Sequence, residues 1–146
     1  MQKLEHDVYW RYYHSISDEV RSSALDIRDM LLENTEFQIY RHLIGFESIF
    51  EDWEASLTEP RDFSKIDEER KAAAQVYIES ITDKNWSDWR QRIINFCQVR
   101  SNDMATFPAF YDFLGLFANS HPEYAFELVR DSVSYTHLTL PTNREV

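Results

Sequence analysis

Glycine is almost missing from this chain: Gly45 and Gly115 are the two in 146 residues. Tight hairpins draw on glycine for positive φ, so a chain this poor in it is badly suited to a β-meander. No phosphate-cradling loop can be drawn either, because neither glycine has a second nearby. Cysteine occurs once, as Cys97. An internal disulfide is therefore excluded, and the natural compartment is a reducing one, the cytoplasm. Ile93 and Phe96 flank Cys97 at helical spacing, which predicts a buried structural thiol rather than a nucleophile. Basic side chains are also short, 15 against 26 acidic, for a net charge of −11. That charge repels phosphate backbones and anionic membrane surfaces, so neither nucleic acid nor membrane is an expected partner. Its plain use is a solvated outer face. No apolar run reaches the roughly 20 residues of a membrane span. The first residues, Met1 to Asp7, carry no apolar signal core.

What is present suits helices and a buried core. Hydrophobic residues make up 43% of the chain and aromatic ones 15%, and Glu, Ala, Leu and Arg are plentiful. The fold class read from this is all-α. About six or seven antiparallel helices are expected, joined as αα-hairpins into an irregular bundle or a partial α-solenoid. The helical domain spans residues 1–132. A first aromatic helix covers about Lys3 to His14. Ser15 or Ser17 caps a second, with Val20, Ala24, Ile27 and Leu31 inward. Asn34 or Thr35 starts a third, whose stripe of Ile39, Leu43, Phe46, Phe50 and Trp53 would place Gly45 mid-helix. There a glycine costs about 1 kcal/mol against alanine. Leu57 to Phe63, with Pro60, is a loop. Ser64 caps a fourth helix to about Ile81, with Ala73, Val76, Tyr77 and Ile81 inward. Asp83 to Asn85 joins it to a fifth bearing Trp86, Trp89, Ile93, Phe96 and Cys97. Thr106 caps a sixth, with Pro108 in its first turn and Phe107, Phe110, Leu114 and Phe117 as its stripe, backed by Tyr111 and Ala118. Asn119 to His121 is a turn, and Pro122 opens a seventh helix with Tyr124, Ala125, Leu128 and Val129 inward.

Candidate sites weigh lightly. The five histidines are His6, His14, His42, His121 and His137. None forms a His-x-x-x-His pair, and no Glu-x-x-His motif exists for a di-iron bundle. His6-Asp7 would suit a metal phosphohydrolase, but its other ligands cannot be placed, and surface or capping roles fit better. Glu69-Arg70-Lys71 has the look of a nuclease Glu-x-Lys. That motif needs a strand and a partner Asp, whereas three alanines follow here in helical pattern, so a solvated face is expected. Glu47, Glu51 and Glu54, with Asp52, could bind a cation or pair with a basic partner surface, but a wetted acidic face is expected. Trp10, Trp53, Trp86 and Trp89 sit at core spacing. No catalytic, cofactor-binding or metal-ligating residue is assigned, and no cofactor is expected.

Phe107 to Asp131 combines an aromatic helix, an Asn-Ser-His-Pro turn and a Tyr-Ala-Phe-Glu-Leu-Val helix. It resembles one unit of the HEAT-like or TPR-like repeats of large multidomain bacterial proteins. The resemblance covers about a sixth of the chain, and no fixed-period repeat accompanies it. Val133-Ser134-Tyr135-Thr136-His137-Leu138-Thr139-Leu140-Pro141-Thr142 breaks the pattern, being Thr-rich and uncharged. It resembles the translation of a sequencing-library adapter carrying a transposase end. Residues 133–146 are therefore expected to be a non-native tail, extended or unstructured, on a piece of a longer natural protein. The function expected is a helical scaffold or protein-interaction segment of a larger cytosolic protein. Its partners would be the rest of that polypeptide and another protein, with the oligomeric state open. The alternative is the helical part of an enzyme, such as a sensor arm of a multidomain NTPase or a metal-dependent hydrolase, with its active site elsewhere in the protein.

Overall fold

The computed structural model describes residues 2–45, 53–60, 62–99 and 108–139. Among them are seven α-helices and no strand: α1 Gln2–His14, α2 Asp18–Leu32, α3 Thr35–Leu43, α4 Phe63–Ser80, α5 Trp86–Cys97, α6 Pro108–Ser120 and α7 Pro122–Thr139. A 3-10 turn covers Ala55–Leu57. The all-α expectation holds.

Local chemistry starts most of these helices. Ser17 Oγ accepts from the Val20 amide at 3.4 Å, with Asp18 and Glu19 in the positive first turn of α2. Asn34 Oδ1 accepts from the Phe37 amide at 2.9 Å and opens α3. At α4 the cap is Asp62 rather than Ser64: its Oδ1 takes the amides of Ser64 at 3.1 Å and Lys65 at 3.2 Å. A carboxylate satisfies two orphan donors and also meets the helix dipole, which a hydroxyl cannot do. Asn85 precedes α5 but turns its side chain backward, donating to Ser80 O and accepting from the Thr82 amide, both at 2.8 Å. It thus closes the joint by capping the outgoing end of α4. His121 alone separates α6 from α7, and Pro122 takes the first position of α7, where its missing N–H costs nothing.

The third helix is shorter than its apolar stripe predicts. It ends at Leu43, and Gly45 lies beyond the end, its amide donating back to Tyr40 O at 2.9 Å. Trp53 is still buried, but from the turn before the 3-10 segment. It packs edge-on to Tyr9 of α1, with ring centroids 5.4 Å apart. Phe46 and Phe50, expected in the core, fall outside the described residues, as do Thr106, Phe107 and the joint at 100–103.

The interior has two apolar clusters. One holds Val8, Tyr9 and Tyr12 of α1, Ala24 of α2 and Trp53. The larger gathers Leu43, Ile44, Ala74, Ile78, Trp89, Ile93, Phe110, Phe113 and Phe117 among others. Large rings hold α5 off α6: Trp89 stacks on Phe113, Trp86 on Phe117, and Phe96 meets Phe110 edge-on. Helix α4 lies close along α6.

Of the expected core, Leu43, Trp89, Ile93, Phe110 and Phe117 are buried, while Phe96 and Leu114 are half-buried. Phe113, at 0% exposure, is the inward residue of α6 that the predicted stripe missed. Tyr111 and Ala118, expected to back that stripe, face out. Val20, Ile27, Val76 and Val129 are also outside rather than inward. Cys97 is exposed, at the last turn of α5, rather than buried. The backbone of α7 continues to Thr139, so residues 133–139 are helical where an extended or unstructured tail is predicted. Once packing has nucleated a helix, each further residue adds one hydrogen bond at little cost.

Candidate functional site

A polar seam joins the two apolar clusters. Arg70 of α4 reaches the end of α3, where its Nε donates to His42 O at 2.8 Å and its Nη2 donates to Arg41 O and Gly45 O. A guanidinium thus caps three carbonyls at the negative end of a helix. Glu69 and Lys71 beside it do stand in solvent, and Lys71 pairs with Asp67 at 2.6 Å. Arg70 is the exception to the expected solvated face: burial pulls its pKa down, and it stays charged as a cap.

From Arg41 the seam continues sideways. Arg41 is 4% exposed, and its Nε donates to Gln38 Oε1 at 3.1 Å. Its Nη2 donates to His42 Nε2 at 3.0 Å. A guanidinium only donates, so that ring nitrogen is the acceptor and Nδ1 carries the proton, which is donated to the Tyr77 hydroxyl at 2.7 Å. His42 is therefore an interior link rather than a surface histidine. Gln38 returns to Leu32 O at 2.6 Å, capping the end of α2. Glu5, 5% exposed, shares with Arg28 and Arg41 the wall of a cavity of about 10 Å³. That volume holds at most about one water. The seam has no room for a substrate; what it can do is hold α2, α3 and α4 in register. Tyr40 lies beside it with its hydroxyl buried and without a partner among the described residues, and burial, reinforced by the charge of Glu5, drives its pKa far up.

The other candidates disperse. His6 and Asp7 lie exposed on α1, and His14 stacks on Trp10 with centroids 5.2 Å apart. His121 Nε2 donates to Ile78 O at 3.0 Å, so it has a capping role at the end of α4. Glu54 accepts from Arg28 at 3.0 Å, while Glu47, Glu51 and Asp52 fall outside the described residues. Cys97 is exposed overall, yet partial desolvation at the end of α5 pushes its thiol up, away from the thiolate a nucleophile needs. Among the described residues, no group of three or more His, Cys, Asp or Glu is placed to hold a metal ion. No helix of those residues is long and apolar enough to cross a membrane.

The features with an outward address are apolar. Met30 on α2 is 72% exposed, and Phe126 and Val129 on α7 are 69% and 61% exposed. Val20 and Ile27 extend the α2 row, and Tyr111 stands out on α6. Spacings of three and seven place the members of each row on one helical face. Sequence periodicity marks Val20, Ile27 and Val129, but as inward residues, and it passes over Met30 and Phe126. Compared with known proteins, the chain matches no family model, no curated protein and no solved structure.

Proposed function

We propose that this chain is a helical protein-interaction scaffold that works in the cytoplasm as a segment of a larger protein. The observation that carries the reading is the pair of apolar rows on α2 and α7, which the fold leaves uncovered although its interior is filled with aromatic side chains. Exposed rows at helical spacing, set in an acidic surface, suit contact with another helix. The HEAT-like part of the reading draws on the stacking of two helical pairs. Helix α4 lies along α6, while Trp86 and Arg90 of α5 bond Glu127 and Asp131 of α7 at 3.1 and 2.9 Å. Stacked pairs of this kind bury each unit against its neighbour. Residues Val133 to Thr142 belong, on this reading, to translated library adapter and carry no function.

Site-specific photo-crosslinking tests the scaffold reading. A photoreactive residue at Ile27, Tyr111 or Phe126 should give a discrete adduct with one partner, and the same probe at exposed Glu79 should not. Serine at the neighbouring apolar positions should remove the adduct. Equal labelling from Glu79, or no adduct from any apolar position, would contradict the reading.

A further inference from the structure

Helices α6 and α7 are each seated on the preceding helix pair by one side. On α6, Ala109, Asp112 and Leu116 line a cleft against Asp67, Arg70 and Ala74 of α4. On α7, Tyr124 stacks on Trp86 of α5 with centroids 4.5 Å apart, Glu127 accepts from the Trp86 ring N–H at 3.1 Å, and Asp131 accepts from Arg90 at 2.9 Å. At about 3.6 residues per turn, the far side of α6 carries Tyr111, Leu114 and Ala118, and the far side of α7 carries Phe126 and Val129. Tyr111, Ala118, Phe126 and Val129 are exposed, and Leu114 is half-buried. Gly115 adds open space beside them, since a Cβ there would meet no atom within 4 Å. The exposed apolar residues of this helix pair therefore stand opposite the faces that seat it.

Position along the helices gives the same direction. Arg90 and Ile93 stand on α5 where Phe126 and Val129 stand on α7, at equal distance from the first residue of each helix. On α5 these positions hold the next pair: Arg90 grips Asp131, and Ile93 is enclosed with Phe113 and Phe117. On α7 the same positions are open. The contact between the pairs is heterologous, because the face that α6 and α7 turn onto α4 and α5 carries Phe113, Phe117 and Tyr124. In a second folded copy those side chains are already packed against Trp86 and Trp89, so it has no such face to offer. Repeating the contact calls for a new helix pair, and consecutive elements of one chain are usually neighbours in space. We propose that the far side of α6 and α7 seats a further antiparallel helix pair of the larger protein, with an aromatic row laid onto Tyr111, Phe126 and Val129. This rests on the scaffold reading and names what covers one of its apolar rows.

A longer chain tests it, in which a second copy of residues 98–132 replaces residues 133–146 and so supplies one more pair with the row of Phe110, Phe113 and Phe117. Parent and longer chain both carry Cys97→Ser and Val129→Cys, and the rate of thiol alkylation is measured. The longer chain should react about tenfold more slowly, because the thiol is reached only when the added pair opens. A thiol placed instead at exposed Glu79 should react equally in both. Phe126→Asp or Tyr111→Asp, each at an exposed position, should restore the fast rate. Equal rates at Val129→Cys in the two chains, a slow rate that both aspartate variants leave unchanged, or a dimer of the parent chain that Phe126→Asp dissolves would overturn the proposal. Equal rates strike this face alone, because adducts from Ile27 would still carry the scaffold reading, which falls only with the crosslinking experiment.

Discussion

Tyr40 and Arg92 show how single side chains set the energetics. The Tyr40 hydroxyl is buried without a partner among the described residues and feels the charges of Glu5 and Arg70. An unsatisfied buried hydroxyl costs about 1–3 kcal/mol, so Tyr40→Phe should raise stability by about 1 kcal/mol, read as a higher urea midpoint at unchanged slope. A lower midpoint would mean that the hydroxyl has a partner. Arg92 lies over the Trp89 ring at 4.4 Å and grips both oxygens of Glu36, one of them at 2.9 Å. That hydrogen bonding holds the Glu36 carboxyl below its ordinary 4.5. A carboxylate with a depressed folded pKa contributes stability that is fully present above 4.5 and lost as pH falls through the folded value. Glu36 is largely exposed, so the contribution is at most about 1 kcal/mol. Arg92→Met should flatten this part of the acid limb below pH 4.5, measured by urea unfolding across pH, and leave the neutral-pH slope of stability with pH unchanged.

Elements were legible in the sequence where their chemistry is local. Ser17 and Asn34 cap helices through amides three residues away, and Pro122 marks its helix by position alone. Trp89, Ile93 and Phe117 lie at spacings that leave one inward face. What sequence could not give is decided at long range. The end of α3 is set by Arg70, more than twenty residues later, and no stripe of apolar residues encodes that cap. On α6, Leu114 and Phe113 differ by one position, and the packing against Trp89 chooses the phenylalanine. On α2, Val20 and Ile27 have the correct period, but they stay 42% and 37% exposed instead of entering the core. Helix propensity gives a further test. Gly115 lies in the exposed part of α6, and an added Cβ would meet no atom within 4 Å. Gly115→Ala should therefore stabilise the chain by about 0.5–1 kcal/mol, measured by thermal unfolding. At the end of α7, removing residues 133–146 should leave stability within about 0.5 kcal/mol if, as proposed, they derive from adapter and have no evolved packing partner. A loss of several kcal/mol, or the same residues in intact genomic copies of the gene, would defeat the adapter reading.

At the scale of the whole molecule, two kinds of apolar side chain are kept apart. Ile93, Phe113 and Phe117 are enclosed at 0–1% exposure and hold the helices together. Truncating such residues to alanine costs about 2–5 kcal/mol. Val20, Ile27, Phe126 and Val129 sit outside, and on the present account they serve association rather than folding. The polar seam of Gln38, Arg41, His42, Arg70 and Tyr77 fixes how α2, α3 and α4 sit against one another. The most direct test of this division is urea unfolding of a quadruple variant, Val20→Ser, Ile27→Ser, Phe126→Ser and Val129→Ser. The account predicts a folded, helical protein with stability within about 1 kcal/mol of the parent, as for surface substitutions. A loss of several kcal/mol, comparable to emptying the core at Phe113, would show that these rows hold the fold together, and would contradict it.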